Sequence, residues 1–218
     1  MKLQQQLKAP EQLLDRGLAN NLATKGYALI DSFLSEEMTL EIREYIDRLR
    51  ISEDLKKAGI GTAHLHQVDN RVRGDYIRWI SRESKIDAIR HYQNQLQFLV
   101  QYLNRYCFLG IKDYEMHTTY YPVGTHYEKH IDQLQVNGKR VISFILYLND
   151  DWQTEDGGEI RVYPLDGSDH EDLAPHNGRL VMMLSNETPH EVLTVNKPRY
   201  SVTGWMLNQF VDTTFVGA

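Results

Sequence analysis

The pattern of apolar and polar positions divides the chain into a helical first half and a β-rich second half. Apolar residues at helical spacing predict three amphipathic helices: Leu13–Leu22, a second after the N-cap candidate Ser35, and a third over Ile86–Cys107. Between the first two, the alternating segment Tyr27–Phe33 predicts a strand. The segment Ile51–Arg73 is polar and contains two glycines, so it predicts a long loop or a short hairpin.

After Gly110 the chain becomes a series of short β-rich runs separated by Gly, Pro and Asn turns. Seven strands are predicted, at Tyr114–Tyr121, Tyr127–Asp132, Arg140–Leu148, Glu159–Tyr163, Arg179–Leu184, Glu191–Val195 and Arg199–Phe210. Short antiparallel strands after a helical half predict a mainly β (α+β) fold. We expect a double-stranded β-helix, a jelly-roll or cupin-like barrel, braced by N-terminal helices. Residues 1–110 would pack on a barrel of residues 111–212 in one compact domain.

Composition narrows the class of protein. The 218 residues are 41% apolar and 25% charged, which is ordinary for a globular protein, and the net charge of −6 argues against a nucleic-acid binder. No apolar run approaches the roughly 20 residues of a membrane span, and the N-terminus lacks a signal-peptide pattern. Cys107 is the single cysteine, which excludes an internal disulfide. We therefore expect a cytoplasmic protein with no nucleic-acid or membrane partner.

The segment His130-Ile131-Asp132 carries the first chemical signal. Residues i and i+2 of a strand lie on one face, so His130 and Asp132 can bind the same ion, and His190 is placed to add a third ligand from a neighbouring strand. Two histidines and one carboxylate leave three octahedral positions open, which suits non-haem Fe(II) activating O₂.

The His-x-acid pattern alone is weak, because about one such match is expected by chance among nine histidines and 30 acidic residues. His170-Glu171-Asp172 is a second match, in a polar stretch that we interpret as a solvated loop. His117 is expected to be a satisfied or exposed histidine rather than a ligand.

A candidate anion site follows nine residues after His190. Arg199, Ser201, Thr203 and Trp205 share a face of the last predicted strand. An arginine facing into a small barrel is costly unless it meets a carboxylate, and the distal carboxylate of 2-oxoglutarate would be that partner. The Tyr147 hydroxyl could add a hydrogen bond. A surface ion pair of Arg199 is the alternative.

Further motifs extend the pattern over roughly Leu13 to Val211. They are Val72-Arg73-Gly74-Asp75 through Trp79, Tyr121-Pro122, Gly124-Thr125, Tyr127, Arg140, Tyr147-Leu148-Asn149, Asp151-Trp152, Gly157-Gly158, Pro189-His190-Glu191-Val192, Arg199-Tyr200 and Thr203-x-Trp205. Together with the triad they resemble the prolyl hydroxylase domain family, which contains the oxygen-sensing prolyl hydroxylases of animals and their bacterial relatives.

The resemblance implies a role for each matching residue. Fe(II) would be bound by the catalytic residues His130, Asp132 and His190, and 2-oxoglutarate by Arg199, Tyr147, Tyr121, Thr203 and Trp205. Arg73 and Arg140 would contact the substrate, and Leu65–Arg73 would correspond to a mobile loop that covers it. O₂ is the second cosubstrate, and ascorbate is a candidate reductant.

The implied enzyme is a 2-oxoglutarate-dependent dioxygenase, a prolyl 4-hydroxylase that acts on a prolyl residue of a protein or peptide and releases succinate and CO₂. The expected partner is a cytosolic protein, with a translation factor as one candidate. The loop Gln133–Gly138 and the short tail after Phe210 depart from the animal enzymes, so their substrate is not assumed here. The same chemistry on free proline or another small molecule, and a non-catalytic sensor barrel that binds a metal or ligand, stay open.

Overall fold

The computed structural model describes residues 17–59, 69, 71–133 and 138–210. Within these residues the chain forms three α-helices, α1 (Leu18–Lys25), α2 (Glu36–Ile51) and α3 (Asp87–Tyr106). It also forms eleven strands, β1 (Tyr27–Ile30), β2 (Lys56–Lys57), β3 (Tyr76–Trp79), β4 (Asp113–Tyr121), β5 (Tyr127–His130), β6 (Arg140–Tyr147), β7 (Ile160–Val162), β8 (Glu171–Leu173), β9 (Leu180–Leu184), β10 (His190–Val192) and β11 (Arg199–Leu207).

The strands form two sheets. The larger has the order β1-β9-β6-β11-β4-β3-β2 and the smaller the order β5-β10-β7-β8. Every pairing between these strands is antiparallel. This is the predicted double-stranded β-helix with helices at its side.

Strand β6 is buried on both faces, and its alternation separates the two parts of the core. Phe144 and Leu146 belong to the cluster that includes the buried side of α3, whereas Ile145 and Tyr147 belong to the cluster between the two sheets. The cavity that holds the candidate site opens from this second, inner face, because Ile145 also lines it. The helices therefore pack on one face of β6, and the candidate site lies on its other face.

The structure corrects several predicted boundaries. Strand β1 ends at Ile30, before the predicted Phe33, and α1 runs to Lys25, where Gly26 with φ 79° ends it. Strand β3 was not predicted; it follows the segment Ile51–Arg73 and pairs with Lys56 and Lys57, which lie inside the segment predicted as a loop or short hairpin. Residues 13–16 of the first predicted helix lie outside the described residues.

The prediction of a solvated loop through Asp172 is wrong at its end. Residues Glu171–Leu173 form β8, the edge strand of the smaller sheet, paired with β7. Asp172 binds Arg161 at 2.7 Å and Leu173 is buried, so a single inward apolar residue anchors an otherwise polar strand.

Strands from both predicted regions share one sheet, since β1 pairs with β9 and β3 with β4. The division at residue 110 stays a prediction. In the described ranges, no helix is both long and apolar enough to cross a membrane.

Candidate metal centre and cosubstrate pocket

Three predicted ligands meet at the smaller sheet. His130 ends β5, His190 begins β10, and the two residues are direct antiparallel partners. The Nε2 atoms of His130 and His190 lie 3.5 and 3.7 Å from the two carboxylate oxygens of Asp132. One ligand atom from each residue lies within 4.8 Å of the others. Asp132 follows the end of β5, so a bend rather than the predicted strand directs its carboxylate to the histidines.

Hydrogen bonds to the backbone fix both imidazole rings. His130 Nδ1 lies 2.7 Å from the Glu128 carbonyl oxygen, and His190 Nδ1 lies 3.0 Å from that of Thr188. A carbonyl can only accept, so each Nδ1 carries a proton, which leaves each Nε2 as the atom available to a metal. This is the tautomer that a metal ligand requires.

The carboxylate of Asp132 has its own support. Ser143 on β6 donates a hydrogen bond to Asp132 Oδ2, and the hydroxyl oxygens of Ser143 and Ser185 lie 2.8 Å apart. Burial alone would raise the pKa of Asp132, but the adjacent His190 and His130 hold that pKa well below its usual range. Burial lowers the pKa of His190. An ionised carboxylate and neutral imidazoles are the forms that bind metal, so this donor set fits Fe(II).

A stack of side chains supports the His130 ring from outside. The Tyr127 ring lies parallel to it, with centroids 3.7 Å apart and an interplanar angle of 18°. The Arg73 guanidinium lies 4.4 Å from the Tyr127 centroid and makes two hydrogen bonds, of 2.7 and 2.6 Å, to Asp75. The Asp75 side chain is fully buried. Sequence reasoning placed Arg73 near substrate but gave Asp75 no role, although their i, i+2 spacing could have suggested the pair.

Arg199 begins β11 and is 3% exposed, so the alternative of a surface ion pair is wrong. Among the described residues its Nε and Nη2 have no hydrogen-bond partner, and neither has the hydroxyl of Tyr147. The guanidinium carbon lies 5.0 Å from the Tyr121 ring centroid and 4.9 Å from that of Tyr147. Burial raises the pKa of Tyr147, so its hydroxyl stays a neutral donor. A buried cation with unused donors fits a carboxylate ligand such as that of 2-oxoglutarate.

The metal cluster and Arg199 face one cavity of about 700 Å³. Every predicted site residue except Tyr147 lines this cavity: His130, Asp132, His190, Arg199, Tyr121, Thr203, Trp205, Arg73 and Arg140. Tyr147 instead packs against the Arg199 guanidinium. Gly158, with φ 74°, makes room for the arginine, because a Cβ there would lie 3.0 Å from Arg199 Cδ. Residues 60–68 and 70, which contain most of the predicted covering loop, lie outside the described residues.

His117 is a buried, satisfied histidine, as expected. Its Nδ1 lies 3.1 Å from the Thr118 carbonyl oxygen, and its ring packs against both Trp79 and Trp205, with centroid distances of 5.2 and 5.6 Å. Burial lowers the pKa of His117 to about 4. The ring is therefore neutral near pH 7 and forms part of the cavity wall.

Arg140 crosses the face of Trp205, with its guanidinium carbon 3.6 Å from the ring centroid. It also forms an ion pair with Glu115, in which Nη2 lies 2.9 Å from Oε1. Glu115 was missed at the sequence level, because its proximity to Arg140 depends on β11 lying between β4 and β6.

Comparison with known proteins agrees with this geometry. The model of the 2OG-Fe(II) oxygenase superfamily matches residues 116–207. Mouse prolyl hydroxylase EGLN3 is 30% identical over 194 residues, which cover 83% of this chain and 77% of the relative. Human Egl nine homolog 1 is 30% identical over 189 residues, and this chain spans 43% of its length.

Two solved structures are similar over most of the chain. A Pseudomonas putida prolyl-4-hydroxylase is 33% identical with a TM-score of 0.78, covering 89% of this chain and 99% of that one. A Trichoplax adhaerens prolyl hydroxylase, solved with a hypoxia-inducible factor peptide fragment, is 28% identical with a TM-score of 0.81, covering 91% and 90%. The chain therefore belongs to the prolyl hydroxylase family of the 2OG-Fe(II) oxygenase superfamily.

Proposed function

We propose that this protein is an Fe(II)- and 2-oxoglutarate-dependent prolyl 4-hydroxylase that acts on a prolyl residue of a protein or peptide. The observation that carries the proposal is the buried guanidinium of Arg199, two of whose nitrogens have no hydrogen-bond partner among the described residues, in the same cavity as the cluster of His130, Asp132 and His190. A sensor that binds only a metal has no need of a second, anion-binding group buried in the same cavity.

Each residue has a defined task in the proposal. His130, Asp132 and His190 hold Fe(II), which with O₂ and 2-oxoglutarate supplies the oxidising power for hydroxylation, with succinate and CO₂ as coproducts. Arg199 and the Tyr147 hydroxyl bind the far carboxylate of the cosubstrate. The further wall residues shape the pocket and limit water access: Tyr121, Thr203 and Trp205.

The charges of the cavity favour a peptide over free proline. Among the described charged residues of its wall, Arg73 is paired with Asp75 and Arg140 with Glu115. Arg199 is assigned to the cosubstrate, so the carboxylate of free proline would meet no unpaired cation. A prolyl residue within a chain carries no charge on its backbone and needs none. The names of the relatives, prolyl hydroxylases, support the same substrate class.

The proposed partner is a cytosolic protein with an exposed target proline, a translation factor being one candidate, and Arg73 and Arg140 are proposed to contact it. Cytoplasmic location and ascorbate as accessory reductant belong to the same proposal.

The purified protein, supplied with Fe(II), 2-oxoglutarate and ascorbate, tests it. We expect oxygen uptake coupled to succinate release, and the gain of one oxygen atom on proline in N-acetylated, C-amidated peptides but not on free proline. Asp132→Ala should abolish both signals, whereas Arg161→Met, which alters an ion pair outside the cavity, should leave them intact. Hydroxylation of free proline in preference to every peptide would overturn the substrate class.

A further inference from the structure

The wall of the cavity next to the metal ligands contains Arg140, whose charge is already neutralised by Glu115. Trp205 on β11 is paired in register with Ser143 of β6, which binds Asp132, and with Glu115 of β4. Arg140 extends from the start of β6 across the Trp205 ring to Glu115. One ion pair therefore spans three strands beside the metal cluster.

This ion pair is positioned to meet a bound peptide. The Arg140 side chain is 32% exposed and lines the cavity, whereas the Glu115 side chain is 20% exposed. Trp205 and Arg140 line the same cavity as the metal ligands, so a peptide that brings a proline to these ligands can place a neighbouring residue over this surface. There, Glu115 cancels the charge that Arg140 would otherwise present.

We propose that Glu115 is a specificity-determining residue, which neutralises Arg140 and so makes the enzyme indifferent to the charge of the side chains that flank the target proline. The inference rests on the proposed prolyl hydroxylase function and refines its substrate class. Without the charge of Glu115, the Arg140 guanidinium would be free to pair with an acidic residue next to the target proline, and a basic residue there would be repelled. With Glu115 in place, the pair discriminates neither for nor against a charged neighbour.

The test compares matched peptides on the iron-loaded enzyme. The probes are N-acetylated, C-amidated peptides with one proline, in which the residue before or after it is Gln, Glu or Lys. For the wild type we expect Glu and Gln peptides to differ by less than about twofold in kcat/KM. For Glu115→Gln, the Glu peptide should gain about fivefold over the Gln peptide, as expected for a partly exposed ion pair. For the same variant, kcat/KM of the Lys peptide should fall relative to the Gln peptide by a similar factor.

Two variants separate charge from structure. In the double variant Glu115→Gln and Arg140→Gln, the Glu-to-Gln and Lys-to-Gln ratios of kcat/KM should return to their wild-type values, because neither charge is left. Glu83→Gln, at an exposed position outside the cavity wall, makes the same change in net charge and should alter nothing. Thermal unfolding of each variant confirms that the fold is retained.

Peptide binding under argon, with Mn(II) and 2-oxoglutarate, gives a readout that does not depend on turnover. If peptides are hydroxylated but Glu115→Gln leaves the Glu-to-Gln ratio unchanged, the inference falls and the proposed function stands. If the ratio changes in binding but no peptide is hydroxylated, the proposed function falls while the role of Glu115 stands. If peptides are neither bound nor hydroxylated, both are overturned.

Discussion

Replacing Arg199 with methionine should move two measured quantities in opposite directions. Arg199 is 3% exposed, and two of its guanidinium nitrogens lack partners among the described residues. Each buried donor without a partner costs roughly 1–3 kcal/mol. Methionine keeps most of the packing against Tyr121 and Tyr147 without the charge. We therefore expect the free energy of unfolding of the metal-free protein to rise by about 1–2 kcal/mol.

The same change should weaken the binding of 2-oxoglutarate. A buried carboxylate that loses its charged partner costs roughly 3–5 kcal/mol, which corresponds to about two to three decades in affinity. Binding of Mn(II) should change little, because Arg199 belongs to no described metal ligand cluster. Arg199→Lys keeps the charge but loses the two-pronged geometry, so its affinity should be intermediate.

The assays are urea unfolding of the metal-free protein and titration of 2-oxoglutarate into the Mn(II)-loaded protein. Arg161→Met is the matched control: it breaks the half-buried pair with Asp172, should cost no more than about 1 kcal/mol, and should leave cosubstrate binding unchanged. If Arg199→Met lowers stability and binds 2-oxoglutarate as tightly as the wild type, Arg199 is a structural residue and the pocket assignment is wrong.

Three further predictions follow from the site. Asp132→Ala should abolish hydroxylation and weaken Mn(II) binding, measured by calorimetry, and full activity would refute the triad. Asp75→Asn should lower the free energy of unfolding by roughly 3 kcal/mol, because it leaves Arg73 buried without a charged partner. It should also weaken Mn(II) binding through the Tyr127 stack, and unchanged binding would show that the stack has no effect on the metal. The pKa of His117 is about 4 when folded and 6.5 in its ordinary state, so stability is lost as pH falls between these values. Relative to His117→Gln, the wild type should lose roughly 2 kcal/mol more between pH 7.5 and pH 5, and equal losses in urea unfolding would refute the burial argument.

The sequence predicts those parts of the site that depend on local spacing. Arg199 and Thr203 lie on one face of a strand, so the strand period places them together. His130 and Asp132 are only two residues apart, which keeps them close although a bend, and not a strand, directs the Asp132 carboxylate. The structure brings these side chains to one cavity.

Partners contributed by other strands could not be predicted from spacing. Ser143 reaches Asp132, and Glu115 reaches Arg140, because of the strand order β6-β11-β4 and its register. Neither residue has a local pattern that distinguishes it from an ordinary polar residue on a strand. Strand β8 was missed for a related reason: an edge strand needs only one buried residue, Leu173, and a polar run can satisfy that condition.

The motifs that mark the family largely support the cosubstrate pocket. Asn149 donates to the Pro175 carbonyl and accepts from the Tyr200 amide, which fixes the start of β11. Trp152 donates to the Gly157 carbonyl, and Gly158 packs against Arg199. These contacts hold Arg199 in place whichever peptide is bound.

In our proposal, substrate choice depends on a different part of the cavity. Trp205 belongs to the family motifs. Arg140 lies over its ring and is neutralised by Glu115, and Glu115 is not one of the motif residues. The effect of this pair should therefore be visible at the residues that flank the target proline rather than at the proline itself, and peptide series that vary those flanks are the experiments that measure it.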